Sequence, residues 1–271
     1  MKSRAGTLAA PFPYFGGKSL ACAEVWAALG DPVNYVEPFS GSAAMLLGRP
    51  SDGHTETIND ADGFVANFWR AISLDADAVA KHADWPVNEA DLYARHSWLV
   101  NQSQTLIERL HADPNYFDAK IAGWWCWGLC SWIGDGWCVR STRKLPHLFK
   151  GTGINRQIPS LGDAGRGILR QIPSLCNSRS QFIREWFEKL QDRLRNVRVT
   201  CGDWSRVLNE SVTTRHGLTG VFLDPPYTKG NMDYAVGGVG GPLADAVRAW
   251  CIENGNNSLL RIVLCGHAGE H

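Results

Sequence analysis

The chain has 271 residues, 44% of them hydrophobic, with 27 Lys+Arg against 27 Asp+Glu and a formal net charge of zero. That is ordinary apolar content for a globular core, and no run approaches the length of a membrane span. The start carries Lys2 and Arg4 without the apolar stretch of a secretory signal, and none of the eight cysteines forms a C-x-x-C pair. Reduced, mostly buried thiols in an intracellular protein are therefore expected, rather than a disulfide framework or a zinc site.

In chain order, a helix is expected over 19–29, entered through Phe15-Gly16-Gly17-Lys18, a glycine turn that delivers a cation. A β-branched strand over 33–37 runs through Asn34-Tyr35-Val36-Glu37-Pro38-Phe39-Ser40-Gly41-Ser42-Ala43-Ala44 into a small-residue turn and a helix. Small residues let backbone N–H groups approach a ligand closely. A strand over 55–58 ends in Asn59-Asp60, and helices follow over 62–72, 89–111 and 115–129. Tryptophans then crowd from Trp124, Trp125 and Trp127 to Trp137. They read mainly as core, because an indole stabilises chiefly when buried. Trp137 and Arg140, at the edge of the cluster, are expected to face a ligand instead.

Between Arg140 and Arg198 stand 13 Lys+Arg against 4 Asp+Glu, which leaves the remainder of the chain net acidic. A concentrated basic segment suits a phosphate backbone. Within it Arg-Gln-Ile-Pro-Ser-Leu occurs at 156–161 and again at 170–175, in a stretch punctuated by Gly162, Gly165 and Gly167. Two Arg-Gln pairs on a loop can contact phosphates or base edges; a low-complexity insertion without direct role is the alternative. A helix over 180–194 puts Ile183, Phe187, Leu190 and Leu194 on one face, with Arg184, Lys189 and Arg193 on its solvated side. A strand over 197–201 leads into Gly202-Asp203-Trp204. Another over 219–223 leads into Asp224-Pro225-Pro226-Tyr227, and a helix over 242–254 and a strand over 260–265 close the pattern. Strands alternating with helices predict a mainly parallel α/β sheet whose ligand site lies at the strands' carboxyl ends, where all these motifs fall.

The Asp-Pro-Pro-Tyr stretch carries the most chemistry. Each proline fixes its own φ, biases the preceding residue towards extended backbone and donates no hydrogen bond. A carboxylate and free carbonyls thus face one small space beside an aromatic ring. That suits an exocyclic amine on a flat base: two acceptors for its two N–H groups and a ring to stack on.

Taken together these segments resemble the Dam-like adenine-specific DNA methyltransferases, with motifs in the family's order from about Pro13 to Gly266. The resemblance implies a Rossmann-like methyltransferase sheet, residues 1–74 and 195–271, with an inserted, mostly helical target-recognition region at 75–194. It assigns Tyr14, Phe15, Gly17, Lys18, Glu37, Pro38, Phe39, Ser40, Gly41 and Ser42 to the S-adenosylmethionine site, with Lys18 at the methionine carboxylate. It assigns Asp60 to the cofactor's ribose hydroxyls and Asp203 to its adenine amine, with Trp204 packing on the purine. In both places an Asx residue capping a turn or helix is the plainer alternative. Asp224, Pro225, Pro226 and Tyr227 form the catalytic loop. Ala43 departs from the family, which often has glycine there. Family members also continue past the strand at 260–265 with an antiparallel hairpin, whereas the sequence given stops at His271.

The expected activity is methyl transfer from S-adenosylmethionine to N6 of an adenine in double-stranded DNA, with the base flipped out of the helix and no metal required. The expected target is short or relaxed in sequence, because the basic region offers few rigid elements for reading bases. Trp137, Arg140, Arg143, Lys144, Arg156 and Arg170 are the expected DNA contacts. A cytoplasmic protein of a bacterial cell or a phage-infected host, of phage or prophage type, fits this reading. An RNA adenine methyltransferase, a cytosine amine as substrate and a catalytically silent DNA-binding protein on the same scaffold stay open. So do the oligomeric state and the choice between restriction partner, regulator and phage self-protection.

Overall fold

A computed structural model describes residues 8–14, 18–51, 54–132, 137–138, 178–226 and 241–266. Phe15, Gly17, Arg140, Arg143, Lys144, Arg156, Arg170 and Tyr227 lie outside the described residues, as does the duplicated hexapeptide.

Five strands form one all-parallel sheet: β1 Asn34–Glu37, β2 Thr55–Asp60, β3 Val197–Cys201, β4 Thr219–Leu223 and β5 Leu260–Leu264. Their order is β3-β2-β1-β4-β5, with registers such as Val36 opposite Thr57 and Val221, and Leu223 opposite Leu264. This is a Rossmann-like order. Every residue of central β1 and β4 is buried, whereas edge strands β3 and β5 are only partly covered. Strands covered on both faces read as continuous apolar runs, and Gly220-Val221-Phe222-Leu223 is such a run. Seven helices occur among the described residues: α1 Cys22–Leu29, α2 Ala44–Leu47, α3 Gly63–Ala83, α4 Glu89–Ala112, α5 Ala119–Ser131, α6 Ser178–Leu194 and α7 Gly241–Asn254.

Two compact units are present. One comprises residues 1–10, 14–66 and 193–271; the other comprises 11–13 and 67–192. In the first, Val36, Val221, Leu223, Val207, Leu208 and Val247 form an apolar cluster. Below it, Asn34 fastens the start of β1 by donating to the Val212 carbonyl (2.8 Å) and the Thr219 hydroxyl (3.0 Å). Glu56 on β2 is buried between two guanidinium groups, Arg49 at 3.2 Å and Arg193 at 2.6 Å. Arg193, expected on a solvated helix face, is thus an ion-pair partner inside this unit. Ile183, Phe187, Leu190 and Leu194 are all buried, as their spacing predicts.

In the second unit α4 and α5 begin where side chains cap them. Asn88 Oδ1 accepts from Ala90 N at 2.9 Å, and Asp118 Oδ1 accepts from Ile121 N at 2.8 Å. The latter cap moves the start of α5 from the expected 115 to Ala119. The helix expected over 62–72 continues to Ala83 across a kink at Asp75, whose carboxylate accepts from Ala78 N and restarts the helix. The interior is aromatic: the Phe12 ring lies 5.1 Å from Phe68 and 4.9 Å from Trp125, both edge-on. Trp127 donates its indole N–H to the Trp85 carbonyl at 2.8 Å. Trp137, expected at a DNA surface, is 7% exposed and donates to the Trp125 carbonyl at 3.0 Å. Its ring lies so close to Gly128 that a Cβ there would overlap it. The indole needed both an apolar slot and an acceptor, and the interior supplied them. No helix among the described residues is long and apolar enough to cross a membrane.

Candidate active site

The connections after β1 and β4 leave the sheet in opposite directions, so the gap between these two strands is a topological switch point, where α/β sheets bind ligands. Glu37 ends β1 and is followed by Pro38, Phe39, Ser40, Gly41 and Ser42; Asp224, Pro225 and Pro226 follow β4 directly. Lys18, in the turn before α1, donates to Asp224 Oδ2 at 2.8 Å across 206 residues of sequence. The two side chains are 19% and 17% exposed, so the pair is screened far less than a surface ion pair. The structure therefore places Lys18 on the Asp224 carboxylate at the end of β4.

Glu37 is only 2% exposed. Its Oε2 accepts from the Tyr35 hydroxyl at 3.0 Å and from Leu46 N at 3.2 Å. Burial raises its pKa to about 8; those two hydrogen bonds oppose the rise, and the charges of Asp224 and Glu56 add to it. At pH 7 it is mostly a neutral acid inside the fold.

The loop after β1 is shaped by backbone geometry. Gly41 has φ 44°, and a Cβ there would come within 2.5 Å of the Tyr14 ring, so glycine alone admits that ring. Ala43 sits in the left-handed region too, at φ 50° and ψ 31°. The position where the family often has glycine thus keeps a backbone that glycine favours, at a cost of about 1 kcal/mol for a side chain.

Asp60, at the end of β2, accepts from Gly41 N (Oδ2, 2.9 Å) and from Asp62 N (Oδ1, 2.9 Å). Desolvation raises its pKa to about 6 against those hydrogen bonds. Asp62 accepts from Phe64 N at 2.8 Å at the start of α3, and desolvation together with the charge of Asp60 lifts it to about 7. Asp203 is exposed and caps the 3-10 turn Trp204–Val207 by accepting from Ser205 N at 2.9 Å. Trp204 stacks on Phe39, with centroids 6.1 Å apart and planes 23° apart.

No protein-family model matches the chain, and no curated protein matches it. What the site can do rests on its own geometry.

Tyr14, Lys18, Glu37, Pro38, Phe39, Ser40, Gly41, Ser42, Asp60, Asp203, Trp204, Asp224, Pro225 and Pro226 all belong to the first unit. Within it Lys18 joins Asp224, Tyr14 and Asp60 join Gly41, and Trp204 joins Phe39. Glu37 and Asp203 spend their hydrogen bonds locally.

Asn59 does work the sequence did not disclose. Its buried amide donates to the Pro38 carbonyl (3.0 Å) and the Gly202 carbonyl (2.9 Å), while Thr200 Oγ1 donates to its Oδ1 at 2.9 Å. One side chain thereby ties the ends of β1, β2 and β3 together. An Asn at the end of a predicted central strand was the available signal. Cys265, which follows β5, feels the charges of Asp224 and Lys18; burial pushes its thiol up to about 11, so it stays protonated at neutral pH. Cys201 is held at about 11 in the same way.

Proposed function

We propose that the chain transfers a methyl group from S-adenosylmethionine to the N6 amine of adenine in DNA, in the cytoplasm of a bacterial or phage-infected cell. The observation that carries this reading is Asp224: a covered carboxylate, followed by two prolines, directly after central strand β4 at the switch point. The donor set fits the cofactor. Asp60 accepts from the backbone N–H groups of Gly41, Asp62 and Ala61, and a carboxylate's four lone-pair sites leave room for a ribose hydroxyl. Asp203 uses Oδ1 for its cap, leaving Oδ2 for an adenine amine, and the Phe39–Trp204 pair offers an aromatic wall for a purine. The glycine conformation at Gly41 brings backbone close to whatever the loop holds.

When bound, S-adenosylmethionine supplies an electrophilic methyl group on a sulfonium. The chain's own contribution is positioning and electrostatics. Asp224 and the Pro225 carbonyl accept the two protons of the target amine, drawing its nitrogen towards tetrahedral geometry and localising the lone pair that the ring otherwise delocalises. Asp224 need not be a strong base, since the proton leaves after the methyl arrives. The buried, neutral Glu37 behind it keeps a second negative charge out of the pocket at pH 7. A base inside a duplex is out of reach of such a pocket, so the target nucleotide is flipped. The basic stretch between Arg140 and Arg179 supplies affinity for phosphates without sequence information, giving a short or relaxed target.

The test is mass spectrometry of nucleosides from the DNA of a host that lacks N6-methyladenine and expresses the chain. N6-methyladenine should appear with the native chain and fall by about a hundredfold or more with Asp224→Ala. That variant should keep its affinity for S-adenosylhomocysteine in calorimetry. Methylation confined to RNA, or cofactor binding with no methylated base in DNA, would overturn the reading.

A further inference from the structure

The ion pair between Lys18 and Asp224 differs from the cofactor-carboxylate role that the family resemblance implies, and it bears on how the proposed reaction is set up. Lys18 lies in a turn whose carbonyl accepts from Ala21 N at 2.9 Å, at the entrance to α1. Its backbone is therefore anchored while its side chain crosses to the end of β4, where Nζ meets Asp224 Oδ2 at 2.8 Å. Around Asp224 the coupled groups are Lys18, the Glu37 carboxyl and the Cys265 thiol. Burial keeps the last two protonated at pH 7. Among these described groups, Lys18 is the one that brings a charge to the carboxylate.

A carboxylate that must accept one amine proton in a fixed direction has a soft torsion about its terminal bond, because terminal sp³–sp² torsions have broad minima. A charge-assisted hydrogen bond to one oxygen removes that freedom. Held by Lys18 through Oδ2, the carboxylate presents its acceptor lone pairs in a direction that the lysine sets.

We propose that Lys18 is a positioning residue for methyl transfer: it orients and neutralises Asp224 from behind, rather than serving mainly to hold the cofactor's carboxylate. The proposal rests on the function given above and names a role for Lys18 that the motif does not. It separates two consequences of removing the ammonium group. A cofactor-holding lysine governs cofactor affinity, whereas a lysine acting through Asp224 governs the rate once cofactor is saturating.

The experiment compares native chain, Lys18→Met and Lys18→Arg. Calorimetry with S-adenosylhomocysteine gives affinity. Single-turnover methylation, at saturating S-adenosylmethionine with protein in excess over bulk DNA lacking N6-methyladenine, gives the rate. Lys18→Met should lose about tenfold or more in single-turnover rate while its affinity stays within about threefold of native. Lys18→Arg keeps a cation and five donors, and should recover most of the lost rate. A purely structural defect would not divide rate from affinity in this way, and matching thermal unfolding of the three proteins excludes one. The proposal is overturned if Lys18→Met loses about tenfold in affinity with its saturated rate unchanged, or if Lys18→Arg is as slow as Lys18→Met. If the native chain itself puts no N6-methyladenine into DNA, the proposed function falls and this role falls with it. A native chain that methylates, combined with either overturning result, removes the role of Lys18 alone.

Discussion

The two units hold their buried arginines by different means. In the sheet-bearing unit, Glu37, Glu56, Arg49 and Asn59 are buried and held by opposite charges or by named backbone groups. In the helical unit the buried cation, Arg95, lies over the rings of Trp85, Trp124 and Trp127, 4.4 to 4.9 Å from their centroids. Its Nη1 has no hydrogen-bond partner among the described residues, whereas both terminal nitrogens of Arg49 in the first unit have oxygen partners and only its Nε has none. Indole faces solvate a guanidinium without offering an acceptor, so that unit gains rigidity and little proton chemistry. The hydrogen-bonded carboxyls Glu37 and Asp60, at the ends of β1 and β2, have pKa values that burial raises to about 8 and about 6. Candidate chemistry is therefore concentrated in the first unit, and aromatic packing in the second.

The strongest way to break this contrast is Trp127→Ala, which empties a fully buried indole site and leaves the Trp85 carbonyl without its donor. It should cost about 3–5 kcal/mol in urea unfolding. A loss under about 1 kcal/mol would mean that the aromatic interior contributes little. At the strand ends, Asp224→Asn should do the reverse. Methyl transfer should fall by about a hundredfold, while unfolding shifts by less than about 1 kcal/mol. Equal effects on stability and activity in both variants would erase the distinction.

Glu37→Gln sharpens the comparison through pH. The Glu37 carboxyl has an ordinary pKa of 4.5 and sits at about 8 in the fold, so between those values the native state holds a proton that the unfolded chain releases. Its contribution is fully present below the unfolded value and is lost as the pH rises through about 8, with a slope of about 1.4 kcal/mol per pH unit. Urea titrations across about pH 5 to 8 should show native stability falling more steeply than that of Glu37→Gln, by about this slope. Asp60 and Asp62, held at about 6 and about 7, push in the same direction at lower pH and remain in both proteins. An unchanged slope in the variant would show that Glu37 is not the buried acid responsible. The smallest expected change is Ala43→Gly. Relieving a left-handed alanine should stabilise by about 1 kcal/mol, and a destabilisation of that size would show the loop after β1 to be unstrained.

Much of the scaffold was legible in the sequence. β4 and β3 occupy the expected 219–223 and 197–201, because short apolar or alternating runs bounded by turn residues leave little freedom. The buried face of α6 followed from its spacing in the same way. The candidate site was legible as a set of motifs at strand ends, but not as a set of partners. Asp203 reads as a cap or as a ligand contact, and only the structure shows that its Oδ1 accepts from Ser205 N. Lys18 and Asp224 are 206 residues apart, and no local rule pairs them. Trp137 had the outline of a surface residue until an acceptor and a glycine-lined slot appeared beside it.

The sequence by itself therefore determined the elements, their alternation and the clustering of motifs at one end of a parallel sheet. Those follow from hydrophobic period, turn chemistry and the handedness of strand connections, all of which are local or topological. Tertiary structure alone decided which polar groups face one another: Lys18 with Asp224, Asn59 across three strand ends, and Glu56 between two arginines. Burial makes an unpaired charge or amide expensive, so each takes whichever partner the fold brings within reach, and that partner is set by three-dimensional proximity rather than by neighbours in the chain.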